Sequence, residues 1–221
     1  MSYLNRLDAG KKLSVALREY EGSDVVILAL PRGGVVLGAE VAKALKAPLG
    51  LVLVRKIGHP TYSEYAIGAI AEGDVPIYNE QELVGIDNTW LQRAKSSAKE
   101  LLAHRHEIYY GKDFQPPDIS GKTVIIVDDG IATGLTMQAA IHAVRGKKPK
   151  RVIVAVPVAS RESVRLLENI ADQVLVLEGP ESFLGAVGSH YQEFNQVNDE
   201  EVKSLLREED YVIQHSAAAH R

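Results

Sequence analysis

Five short aliphatic runs punctuate the chain: VVILAL at 25–30, LGLVLV at 49–54, TVIIV at 123–127, RVIVAVPVA at 151–159 and DQVLVLEG at 172–179. Each is too short for a typical helix and rich in β-branched residues, the pattern of a strand buried on both faces. Between them lie segments of helical period, at 35–47, 137–145 and 160–170, while Leu4, Leu7, Leu13 and Leu17 predict a helix before the first strand. Residues 66–78 read as two short strands joined at Glu72, Gly73 and Asp74, and a long polar helix over 87–111 is capped by Asp87 or Asn88. Gly58, Pro60 and the small polar residues around them predict a mobile loop over 57–65.

Strands alternating with helices across short turns predict an α/β fold, a Rossmann-like parallel sheet with helices on both faces. The expected organisation is one domain over 1–221, with the loop 57–65, a helical excursion at 79–117 and a distinct C-terminal section at 178–215. The final residues, 215–221, read as a frayed end. In such sheets ligands bind beyond the carboxyl ends of the strands. Those ends carry Arg32 to Gly34, Arg55 with Lys56, and Asp128 to Thr136.

Composition narrows the chemistry. Cysteine is absent among the 221 residues, which removes thiol nucleophiles, disulfides and thiolate metal sites. A net charge of −4 argues against a general affinity for nucleic acid, so an anionic ligand would need a local positive field from amides, helix N-termini, a metal ion or a few placed cations. No apolar run approaches the ~20 residues of a membrane span, and the first residues lack a hydrophobic signal core, so the expected location is cytoplasmic. His104 and His106 stand two apart on a helix and face differently, poor geometry for a shared metal.

The stretch VIIVDDGIATGLT, 124–136, carries the sharpest signal. Its two acids invite comparison with the second motif of P-loop nucleotide hydrolases, but the only Gly-Lys-Thr, at 121–123, precedes a strand instead of following one. The loop Gly130, Ile131, Ala132, Thr133, Gly134, Leu135, Thr136 can turn several amides and two hydroxyls toward one phosphate at a helix N-terminus. Asp128 and Asp129 can accept from a vicinal diol and stabilise nearby positive charge. Phosphate, diol and developing cation together describe a ribose 5-phosphate reacting at C1.

These residues resemble the phosphoribosyl pyrophosphate (PRPP) motif of the type I phosphoribosyltransferases: four apolar residues, two acids and a Thr-Gly-x-Thr loop, matched from Val124 to Thr136 without a gap. The resemblance implies that Leu30-Pro31-Arg32-Gly33-Gly34 is the pyrophosphate loop, that Arg55 or Lys56 also reaches the pyrophosphate, and that 57–65 is a lid excluding water. It further implies Mg2+, held mostly by substrate oxygens and water with Asp128 or Asp129 as candidate ligands, and catalytic roles for Asp128, Asp129, Arg32 and Lys56. The expected partners are PRPP, a small nitrogenous acceptor and a second copy in a homodimer.

The acceptor is less legible. The position before Thr133 is Ala132, where the 6-oxopurine branch of the family has an aspartate, which disfavours hypoxanthine and guanine. The resemblance makes 178–215 a hood, in which Phe183, Tyr191 and Phe194 are candidates to stack on the acceptor. The hood pattern is similar to that of an uncharacterised bacterial branch of the family. The alternative function is a non-catalytic PRPP-binding regulator or metabolite sensor.

Overall fold

The structure is a computed structural model that describes residues 2–63, 65–73, 76–111 and 115–218, with 209–218 described by backbone alone. Glu64 of the expected loop, Asp74 of the expected turn, positions 112–114 of the excursion and 219–221 of the expected frayed end lie outside the described residues.

The strands are β1 Val25–Ala29, β2 Leu49–Leu51, β3 Val54–Gly58, β4 Ala66–Ala71, β5 Ile77–Tyr78, β6 Thr123–Val127, β7 Arg151–Val156 and β8 Gln173–Val176. The helices are α1 Arg6–Ala16, α2 Gly33–Leu45, α3 Asn88–Tyr110, α4 Leu135–Gly146, α5 Arg161–Glu168 and α6 Asp199–Ala218. Five strands form one parallel sheet in the order β2-β1-β6-β7-β8, and β3-β4-β5 form a small antiparallel sheet beside it.

The aliphatic runs are continuous because both faces of the central sheet are covered. Val25, Ile27 and Ala29 point into a core shared with α1 and α2, including Leu13, Leu37 and Leu45. Val26, Leu28 and Leu30 point the other way, into a core with Met137, Ile141 and Val144 of α4. The expected α/β architecture is therefore the one observed.

Two boundaries differ from the sequence reading. The run 49–54 is not one strand: the chain leaves the parallel sheet after Leu51 and enters the antiparallel one at Val54. Val52 and Leu53 remain buried through the crossing, so hydropathy records no break. Ile57 and Gly58, expected in the loop, belong to β3, whose register shifts between them. A side chain at Gly58 would collide with the Ser63 carbonyl oxygen, so this tight hairpin requires glycine. Its tip is closed by His59 N–H donating to the Tyr65 carbonyl at 2.8 Å.

The long helix is placed as expected, with the Asp87 side chain accepting from the Trp90 amide at 2.7 Å. It packs against β3, β4 and α6. None of the helices among the described residues is long and apolar enough to cross a membrane.

Candidate active site

The strand order reverses between β1 and β6, since the chain proceeds from β1 to β2 on one side and from β6 to β7 on the other. Their carboxyl ends open the crevice where open α/β sheets bind ligands. The Leu30 amide donates to the Val127 carbonyl at 3.0 Å, which fixes the two exit loops side by side. Pro31 to Gly34 thus crosses directly over the acids, and the Pro31–Arg32 peptide is cis.

That crossing explains the paired glycines. A side chain at Gly33 would run into the Asp129 carboxylate, and a Cβ at Gly34 would stand 2.8 Å from the Val127 carbonyl oxygen and 2.9 Å from the Asp128 Cα. Both neighbours of Gly34 are backbone atoms, so neither yields cheaply. Gly34→Ala is expected to cost about 1–3 kcal/mol of stability, read as a lower urea midpoint at unchanged m. An unchanged midpoint would mean that the two loops separate easily.

Asp128 and Asp129 follow β6 and are half-buried. The Asp129 amide donates to Asp128 Oδ1 at 2.8 Å. Burial pushes the Asp128 carboxyl well up from its usual range and the neighbouring Asp129 charge adds to this, while Arg6 and Lys56 pull it down. Burial also raises Asp129, but Arg6 opposes it directly: its Nε lies 2.7 Å from Asp129 Oδ2, with the two side chains 12% and 15% exposed.

The loop beyond the acids is pinned by its carbonyls and by one amide. Ile131 N–H donates to the Val158 carbonyl at 3.0 Å, Ser160 N–H donates to the Ile131 carbonyl at 2.9 Å, and the Ser160 and Ser163 hydroxyls donate to the Ala132 carbonyl at 2.6 and 2.8 Å. At Gly134 the backbone turns through φ 78° into α4, a conformation that favours glycine. The first N–H groups of α4, from Leu135 onward, have no intrahelical acceptor and add the dipole of the helix end. A cavity of about 320 Å³ opens here, lined by Lys56, Asp128, Asp129, Thr133, Thr136 and Val187 among others.

The basic residues divide. Neighbouring strand residues point to opposite faces, and on β3 it is Lys56, not Arg55, that lines this cavity. Arg32 is 42% exposed at the start of α2, with Nη1 3.9 Å from Asp199 Oδ1 at the start of α6. That carboxylate also accepts from the Tyr109 hydroxyl at 2.6 Å, so α3, α6 and the 31–34 loop meet at one point.

The three aromatic residues of the C-terminal section occupy different environments. Tyr191 is 2% exposed, packed between the rings of Tyr3 and Phe194, and its hydroxyl donates to the Asp129 carbonyl at 2.6 Å. Phe183 stacks on His190, with centroids 5.5 Å apart. Phe194 is 39% exposed and lies against the Arg6 guanidinium, 3.8 Å from its ring centroid. In this arrangement only Phe194 offers substantial surface, and Arg6 already covers part of it.

Sequence reasoning missed Arg6, Tyr3 and Val187. Arg6 and Tyr3 precede or begin α1, where a basic residue among leucines reads as a solvated helix face, and nothing local reports a partner 123 residues away. Tyr3 pairs with Tyr191 in an isolated parallel bridge, and the chain from Ser2 to Leu4 is hydrogen-bonded to 190–193. The N-terminal segment thereby clasps the C-terminal section over Asp129.

Residues 2–193 match the model of the phosphoribosyl transferase domain family. A protein of Mycobacterium tuberculosis bearing a provisional phosphoribosyl transferase name is 40% identical over 208 residues, covering 91% of this chain and 46% of the relative. The chain therefore spans about half the length of the curated relatives it matches. The crystal structure of the protein TT1426 from Thermus thermophilus superposes with a TM-score of 0.76 at 40% identity, covering 94% of this chain and 99% of that one.

Proposed function

Because the chain belongs to the phosphoribosyl transferase domain family, we propose that it transfers the 5-phosphoribosyl group of PRPP to a nitrogen acceptor and releases pyrophosphate. The observation that carries this reading is the single cavity in which Lys56, the two acids and the Thr133 to Thr136 loop meet at the head of α4. Loop amides and threonine hydroxyls would hold the 5-phosphate, and Asp128 and Asp129 the ribose hydroxyls. Lys56 and Arg32 would attract the diphosphate.

In the reaction the acceptor nitrogen forms a bond to C1 as the C1–O bond to pyrophosphate breaks, the leaving group taking the electron pair. The acceptor then loses its proton to solvent or to a basic oxygen nearby. Positive charge on C1 and the ring oxygen grows beside the paired carboxylates, which cost no reorganisation to stabilise it. Lys56 of β3 lines the cavity, and closure of the hairpin that follows it would keep water from that centre.

The donor set fits a hard divalent cation held mainly by substrate oxygens. Among the described residues no group of three or more His, Cys, Asp and Glu side chains gathers to cage a metal, whereas Asp128 and Asp129 would supply oxygen ligands. Bound there, Mg2+ would neutralise charge on the departing diphosphate.

The test is calorimetric titration of Mg·PRPP into the protein, followed by a screen of nitrogenous acceptors for pyrophosphate release. Saturable binding with turnover is the expected result. Binding without turnover across the screen would assign a PRPP sensor instead, and an absence of binding would remove the reading altogether.

A further inference from the structure

Arg6 opens α1, and the helix sets its place. The Asn5 side chain caps α1 by accepting from the Asp8 amide at 3.1 Å. Further along, α1 lies close on α2: a Cβ at Gly10 would stand 3.0 Å from the Leu37 Cα. Since α2 begins at Gly33, the first turn of α1 is held beside the 31–34 loop and the acids that this loop crosses. A Cβ at Gly33 would stand 2.7 Å from Arg6 Nε, so the Arg6 side chain runs directly against that loop.

The guanidinium is itself held at three points. Nε donates to Asp129 Oδ2, Nη1 donates to the Asn195 carbonyl, and the central carbon lies 3.8 Å from the Phe194 centroid. It reaches Asp129 from behind: Asp129 lines the cavity at the acids, and Arg6 is not among the residues lining it. Arg6 is also the sole side-chain hydrogen-bond partner of that carboxylate among the described residues. A carboxylate turns over a broad range about its last torsion, so a planar donor fixed elsewhere in the fold is what sets its plane. One oxygen is thus taken by the scaffold, and Oδ1 is left for the crevice.

We propose that Arg6 is a positioning residue of the phosphoribosyl transfer: from outside the cavity it grips Asp129 Oδ2 and so presents Oδ1 to the ribose hydroxyls. The role rests on the phosphoribosyl reading of that cavity. It divides the two cations near the acids by task. Lys56 lines the cavity and faces the ligand, whereas Arg6 acts only through Asp129. A transfer that depends on a ribose held in register suffers when a supporting group of this kind is loose, even where no ligand contact is lost.

A support that acts through Asp129 matters only while Asp129 is there to be supported, a condition that a purely structural tether does not obey. Mg·PRPP affinity would be measured by calorimetry in the wild type, Arg6→Met, Asp129→Asn and the double variant, each shown to be folded by its thermal melt. Arg6→Met is expected to weaken binding about tenfold or more with Asp129 present, and by no more than about twofold in the Asp129→Asn background. Arg6→Lys restores one charged donor and should recover part of the loss. Should Arg6→Met not fold, Arg6→Lys takes its place in the cycle, with about a fivefold loss expected beside Asp129 and at most about twofold in the Asp129→Asn background.

Equal losses in the two backgrounds would overturn the proposal and leave Arg6 as a tether of the C-terminal section. An Arg6→Met protein that binds Mg·PRPP as the wild type does would overturn it as well. Wild-type protein that does not bind Mg·PRPP would remove the phosphoribosyl reading and this role with it, an outcome told from the other two by the wild-type titration alone.

Discussion

Replacing Asp128 and Asp129 together by Asn is expected to weaken Mg·PRPP binding by about a hundredfold or more. Hydrogen bonds to a charged group contribute about 1.5–3 kcal/mol each, so losing one such bond from each carboxylate removes about 3–6 kcal/mol. By the affinity scale that is roughly 10²- to 10⁴-fold. Calorimetry on the folded variant is the measurement, and affinity within a few-fold of wild type would show that the acids do not hold the ribose.

The single Asp128→Asn exchange carries an opposite signature in the free protein. Burial, and next the Asp129 charge, raise the Asp128 carboxyl above its unfolded value. A raised pKa contributes stability that is fully present below the unfolded value near 4 and is lost as pH climbs through the folded one. At neutral pH the wild-type protein therefore bears a cost that Asn removes, so the variant should melt higher, by a margin that widens as pH rises from about 4 toward the raised folded value. A variant that is more stable yet binds less is the behaviour expected of a site held in tension for its ligand.

The parts of this site differ in how far they could be read from sequence. Strand β6 and its loop were legible because hydropathy, the acids and the glycine turn are contiguous, and burial on both faces wrote β6 as an unbroken run. Gly33 and Gly34 were legible as a turn, but their reason for being glycine is the backbone of β6, which only the parallel register with β1 brings near. The division between Lys56 and Arg55 required the direction of β3, and β3 was hidden inside a run that crosses between sheets. The C-terminal aromatics were legible as a cluster, whereas their mutual packing and the clasp by Tyr3 depend on two chain segments far apart in sequence.

Arg6 shows the same limit in energetic terms, and Arg6→Ala should have the largest effect on stability of any substitution outside the aliphatic core. The change leaves Asp129 without its ion-pair partner at 15% exposure. Breaking a buried pair from one side costs about 3–5 kcal/mol, and at this partly open site about 2–4 kcal/mol is expected. The guanidinium also donates to the Asn195 carbonyl at 2.5 Å and lies over Phe194, so part of the loss is the tether of the C-terminal section. Arg6→Lys keeps the charge but lacks the planar fork, and should fall between the two. If the pair itself dominates, Asp129→Asn added to Arg6→Ala should restore about 1 kcal/mol or more, because the stranded charge is gone. Urea unfolding of the four proteins in that cycle separates the cases: a coupling near zero would assign Arg6 to the tether alone, and a large one would make it the residue that keeps Asp129 ionised for the ribose.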